Sequence, residues 1–206
     1  MARTKKDIRA LSIIFNLIIV VWMAYCAYHF FIKGLEGNMV GGRFSAFMYY
    51  TIDSNFFVAV SSLAMLIARL VNGTPKSFAV KFKYFGTCTV TITLLTVLVF
   101  LGPSMGYKLL LSGDNLYMHL IGPLLCIISF CFLDRGPRVR MSHAVGSLIP
   151  TLIYGTVYSV MVLILKKWPD FYGFNTVTKW YISFPVMIAA AFLVAVLLKA
   201  LHNDKC

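Results

Sequence analysis

The feature that most constrains this chain is the recurrence of long apolar runs. Six are read: Leu11–Phe31, Ser45–Val71, Tyr84–Leu101, Leu116–Leu133, Ala144–Leu165 and Trp180–Leu201. At 1.5 Å per helical residue, each reaches across about 30 Å of hydrocarbon. None shows the alternation of apolar and polar residues that marks an outer-membrane strand. Charged residues are 13% of the chain and hydrophobic ones 60%, whereas a soluble domain carries about a quarter charged. The expectation is an all-α polytopic membrane protein with six transmembrane helices, forming one domain over residues 1–206. Almost nothing is left over for a soluble domain, so any function must sit in the bundle.

A net charge of +12 raises the question of nucleic acid, and its distribution answers it. Thirteen of the 19 basic residues fall on one side of the predicted topology. They are Arg3, Lys5, Lys6, Arg9, Arg69, Lys76, Lys81, Lys83, Arg135, Arg138, Arg140, Lys199 and Lys205. The other side carries Lys33, Arg43, Lys108, Lys166, Lys167 and Lys179. The positive-inside rule then places both termini in the cytoplasm of a cell that holds this chain in its plasma membrane. The basic flanks are expected to meet anionic membrane lipids and no nucleic acid. The first apolar run is too long for a signal-peptide core and no small-residue cleavage site follows, so it is read as span one. Five cysteines without a CxxC pair point to neither a disulfide framework nor a metal site. No cofactor is expected.

Against this background the stretch "YYTIDSNFF" (residues 49–57) stands out, because Thr51, Asp53, Ser54 and Asn55 open the second span. With this orientation the second and fourth spans both start at the outer face. The fourth opens "DNLYMHLIGP", carrying Asn115 and His119. Two segments far apart in sequence therefore bring polar groups to one depth. At 100° per residue Thr51, Asn55, Val58 and Ser62 share a stripe, as do Asn115, His119, Gly122, Cys126 and Ser129. Such stripes face other helices rather than lipid. Asp53 lies about 200° from Thr51 on the same wheel. It is read either as a locally paired charge, with Lys33 or Arg43 in reach, or as an inward carboxylate that orients a histidine or binds a polar group. Tyr158, on a stripe with Thr151 and Tyr154, reaches the outer half from span five. His29 is a second histidine near that face, while His143 and His202 belong to the other.

A hydroxyl beside an imidazole, shielded from bulk water, suits covalent acyl transfer: the ring takes the hydroxyl proton and later returns it to the leaving group. Asn55, Asn115 and Tyr158 are the candidate donors to a developing oxyanion. The depth matches the ester region of an amphipathic lipid. No GxSxG elbow, HExxH zinc motif, P-loop or GxGxxG turn is expected in this chain. Two other readings compete: a small transporter or lipid-binding protein without catalysis, and an assembly factor whose polar stripes only join helices.

Two short motifs resemble a known family. "Y-[FY]-T-I-x-S-N" opening the second span, here Tyr49 to Asn55, and "M-H-x-x-x-P" in the fourth, here Met118, His119 and Pro123, look like the bacterial branch of the androgen-induced protein family. Its eukaryotic relatives include the androgen-dependent TFPI-regulating protein. The resemblance implies a multi-pass threonine hydrolase of fatty acid esters of hydroxy fatty acids, with Thr51 as nucleophile and His119 as base. The family's aromatic loop is matched only loosely by "WPDFYGF".

Overall fold

The computed structural model describes residues 5–35 and 44–206. Among them all regular structure is helical and six helices are long and apolar enough to cross a membrane. These are α1 (Lys5–Leu35), α2 (Tyr50–Asn72), α3 (Ser77–Met105), α4 (Asp114–Leu133), α5 (Met141–Ile164) and α6 (Trp180–Asn203). The order is the one read from the sequence. The third span starts at Ser77 rather than Tyr84, which brings Lys83 inside the bundle.

Burial is inverted relative to a water-soluble bundle. Ser12, Asn16, Ser61, Ser62, Lys83, Thr87, Ser129 and Asp134 are fully buried. Val21, Ile67, Ile153, Val186 and Leu193 face outward. In water this arrangement would expose apolar surface and desolvate polar groups at once. In hydrocarbon it is the stable one, because polar side chains find partners only inside.

Helix α3 is the centre. It packs on α2, α4 and α6, and α1 closes the other side against α2 and α4. Gly86 sets the α2–α3 approach: a Cβ there would lie 3.1 Å from the Val58 Cα. Helix α5 is held differently. Its first turns dock on α6, and its later turns make few contacts with α2 or α3. Space therefore remains beside α5, at the end of the bundle where α2 begins.

Four stretches widen into π-helix: Thr96–Leu101, Tyr117–Ile121, Ser129–Leu133 and Val160–Ile164. The first two run directly into Gly102-Pro103 and Gly122-Pro123. A proline has no N–H and its ring crowds the carbonyl four residues back, so the preceding turn loosens. The regular 100° wheel therefore fails around His119, which lies in one of these turns.

Arg69 and Lys83, counted above among the charges flanking spans two and three, are both inside: 4% and 0% exposed. Lys83 Nζ donates to Ser62 Oγ at 2.6 Å. Arg69 donates to the carbonyls of Leu133 and Arg135 at 3.0 and 2.8 Å and to Ser12 Oγ at 3.1 Å. Those carbonyls end α4 and have no helical donors of their own. Arg69 thus ties the ends of α2, α4 and α1 together, a role that its place near a span end did not announce.

Candidate active site

Thr51 stands in the first turn of α2, where the first N–H groups of a helix have no intrahelical acceptor. Ile52 and Asp53 donate to the Tyr49 carbonyl. The Tyr50 N–H donates instead to the Tyr172 hydroxyl at 2.8 Å. The Thr51 hydroxyl lies 3.2 Å from His119 Nε2, within general-base reach. His119 is 7% exposed, and its Nδ1 lies 2.7 Å from the Leu110 carbonyl. A carbonyl can only accept, so Nδ1 carries the proton and Nε2 is the free base. The Thr51 O–H therefore points its proton at Nε2.

The loop that supplies Leu110 folds back over the start of α4, so the orienting group for the histidine is a main-chain dipole rather than a carboxylate. Gly122 supports the arrangement from behind. The Met23 side chain of α1 occupies the place a Cβ would take there.

Asn55 shows why a polar residue sits one turn below Thr51. In the π-turn the Gly122 N–H donates to the Tyr117 carbonyl. The Met118 carbonyl would next receive residue 123, which is proline and has no N–H. Asn55 Nδ2 fills that vacancy at 3.2 Å and also donates to the Thr51 carbonyl at 2.7 Å. It staples the helix of Thr51 to the helix of His119. With both its protons engaged, Asn55 does not serve as an oxyanion donor. Ser54 fixes the same turn to α3 through Thr93 at 2.8 Å.

The other candidate donors are placed elsewhere. Asn115 donates to the Leu109 carbonyl at 3.4 Å, bracing the loop. Tyr158 donates to Asp170 at 2.7 Å. Asp53 lies on the far side of α2, in a separate cleft, and does not orient His119. It has no hydrogen-bond or ion-pair partner among the described residues; Arg43, one partner considered for it, lies outside them. Lys33, the other, pairs with Asp114 at 3.3 Å, and His29 contacts the same carboxylate.

The residue that the sequence reading did not single out is Tyr172, which lies in the loop between α5 and α6 among other aromatic residues. Its hydroxyl oxygen accepts from the Tyr50 N–H, with the Thr51 N–H and the Tyr154 hydroxyl close by. Tyr154 donates to the Met48 carbonyl at 2.6 Å and Tyr158 to Asp170, so both protons are committed. For the Tyr172 proton the acceptor at hand is the Tyr154 hydroxyl oxygen, which gives its own proton to Met48 and keeps lone pairs free. Burial pushes its phenol pKa up, which keeps it a neutral donor.

Asp170 anchors this loop, accepting from Tyr158 and from the N–H groups of Phe174, Asn175 and Thr176. Partial burial works to raise its pKa. The hydrogen bonds from Tyr158, Asn175 and Thr176 outweigh that and hold the carboxyl below its ordinary value.

Thr51 and Tyr172 share the wall of a cavity beside α5. It holds about 790 Å³ of space, its open side included. Thr93, Thr96 and Thr151 add hydroxyls near Thr51, while Val162, Leu163, Phe184, Met187 and Ile188 line the part between α5 and α6. One G-x-S-x-G string does occur, Gly102 to Gly106, but it carries no nucleophile elbow. Its Ser104 donates to the Phe100 and Leu101 carbonyls, and no histidine pairs with it. No group of three or more His, Cys, Asp or Glu that could hold a metal is found among the described residues.

No family model, no curated protein and no solved structure matches this chain.

Proposed function

We propose that this membrane protein hydrolyses a lipid-like ester, with Thr51 as nucleophile and His119 as base. The observation that carries this reading is the Thr51–His119 pair, 3.2 Å apart, with the far ring nitrogen tied to a carbonyl and the hydroxyl on a cavity wall. The resemblance of the two motifs to threonine hydrolases of fatty acid esters of hydroxy fatty acids supports the same assignment.

In this scheme Nε2 takes the Thr51 proton as Oγ1 adds to the ester carbonyl. The oxyanion receives the Tyr172 O–H and the Thr51 N–H at the positive end of α2. Collapse expels the alcohol, which takes the proton from Nε2 and leaves an acyl-threonine. Water, deprotonated by the same nitrogen, adds to the acyl carbonyl, and the Thr51 oxygen leaves with that proton as the acid is released. The apolar passage between α5 and α6 would hold the acyl chain, admitted sideways from the bilayer. The surplus of basic residues at the opposite end supports access from the outer leaflet of a plasma membrane.

The second reading is a lipid-binding or transport protein without catalysis. One observation favours it: His119 does not line the cavity, so its nitrogen meets an occupant only through Thr51. Turnover of a fluorogenic long-chain ester by the purified protein separates the two. Activity that disappears in Thr51→Ala and His119→Ala and survives in Thr51→Ser supports hydrolysis. Saturable ester binding without turnover would leave the second reading standing.

A further inference from the structure

Helix α2 has a second polar face, and a second space lies against it. This cleft runs between α2 and α5, on the other side of the Tyr50–Tyr154 ring pair from the Thr51 cavity. Those two rings pack with centroids 5.0 Å apart and contribute to both walls. The cleft holds about 830 Å³ of space, its open side included. Phe47, Tyr50, Phe57, Tyr154 and Trp168 line it, and among the described residues the one ionisable carboxyl on its wall is Asp53.

Asp53 is in the first turn of α2, a position where a negative charge favours the helix. That alone does not account for its placement. No described residue, the free N–H groups of the first turn included, donates to its side chain. A carboxylate in a cleft lined by aromatic residues, with no donor among the described residues, is complementary to one kind of partner. An organic ammonium satisfies the charge through the carboxylate and presents its weakly hydrated alkyl groups to the ring faces. A metal ion is a poor match, because a single carboxylate among aromatic rings supplies too few oxygen ligands.

The open side of the cleft is flanked by Ile153 and Val157 of α5, exposed by 61% and 45% on an apolar helix face. A ligand arriving there comes from the bilayer more readily than from water. We propose that the Asp53 cleft binds the alkylammonium group of an amphiphile, such as a choline- or ethanolamine-type headgroup or a free long-chain amine. This site is separate from Thr51, and it stands whether or not Thr51 catalyses ester hydrolysis.

Trp168 on the cleft wall provides the readout. In a background with Trp22→Phe and Trp180→Phe, dodecyltrimethylammonium added to the protein in an uncharged detergent should shift Trp168 emission saturably. Dodecanol at equal concentration should not. Asp53→Asn should weaken the ammonium response at least tenfold, Asp53→Glu should retain most of it, and Thr51→Ala should leave it unchanged. Equal affinity in wild type and Asp53→Asn, or an equal response to dodecanol, would overturn the proposal. Should Asp53→Asn fail to fold, Phe47→Leu decides: several-fold weaker binding supports the site and unchanged binding refutes it. Native mass spectrometry from phosphatidylethanolamine and phosphatidylglycerol bilayers distinguishes the source. Ethanolamine lipid retained by wild type and lost from Asp53→Asn identifies a headgroup. Binding of the amine alone identifies a free amphiphile.

Discussion

Two buried polar centres lie at opposite ends of the same helices, and they differ in one respect. At the Arg69 end, Asp134 accepts from Ser12, Asn16 and Ser129 at 2.6, 2.8 and 2.9 Å. Arg69 reaches Ser12 and the carbonyls that end α4. Both Asp134 oxygens are engaged, Asp134 is 0% exposed, and neither cavity reaches it. At the Thr51 end the polar groups are only partly engaged: Nε2 has a lone pair for the Thr51 proton, the Tyr172 hydroxyl has just the neighbouring Tyr154 oxygen for its proton among the described residues, and Asp53 has no described partner. Thr51, Tyr172 and Asp53 border open space. At the Arg69 end Asn16 Oδ1 has no hydrogen-bond partner among the described residues, but a network this nearly closed fixes helices, because removing a member strands another in low dielectric. An open one leaves capacity for a ligand or a reacting group.

Substitutions can break that contrast, and the largest effect is expected on chemistry. Thr51→Ala should lower ester turnover by about 10⁴-fold or more, as loss of a nucleophile does. Its melting temperature should stay within a few degrees of wild type, because the lost partner is one hydrogen bond at a half-buried position. A large fall in stability would instead make Thr51 a structural residue like those at the other end.

Asp134→Ala should do the reverse. It leaves Ser12, Asn16 and Ser129 without their acceptor and Arg69 without its nearby anion. The expected loss is about 3–5 kcal/mol, on the order of 10 °C in melting temperature, measurable by thermal unfolding in detergent. A wild-type melting temperature would show that the network contributes little.

Tyr172→Phe sharpens the comparison within the open centre. The phenyl ring keeps the packing and loses only the hydroxyl. If that hydroxyl donates to the oxyanion, kcat should fall about 10²-fold with KM nearly unchanged. A change confined to KM would assign Tyr172 to substrate packing. Asn55→Ala should cost about 1–3 kcal/mol by stranding the Met118 carbonyl, lowering activity and melting temperature together.

The smallest effect concerns pH. The Asp170 carboxyl is held below its ordinary value, so its contribution to loop stability is complete above the unfolded value, about pH 4. It is lost as pH falls through the folded value. Emission from Trp168, beside this loop, should change at acid pH in wild type, and Asp170→Asn should remove that transition.

The fold was legible because hydrophobic length is a one-dimensional signal: six apolar runs gave six helices in order. Thr51 and His119 were legible as a pair because topology brought two polar helix starts to one depth. Three features lay beyond such reading. The π-turn at Tyr117–Ile121 overrides a regular helical wheel, and its need for Asn55 appears only once the Pro123 N–H is missed. Tyr172 comes from a loop, where aromatic residues near an interface are common and no periodicity marks one of them. Arg69 and Lys83 sit near span ends, where a long basic side chain can reach out to water or turn inward, and the partners that draw them inward lie on other helices.

The most direct test of the Thr51 assignment is peptide mapping after labelling with a long-chain fluorophosphonate. The adduct is expected on Thr51 in the wild-type protein and should be absent after Thr51→Ala or His119→Ala. An adduct on Ser54, Ser104 or Tyr172, or persistent labelling and turnover in Thr51→Ala, would contradict the assignment.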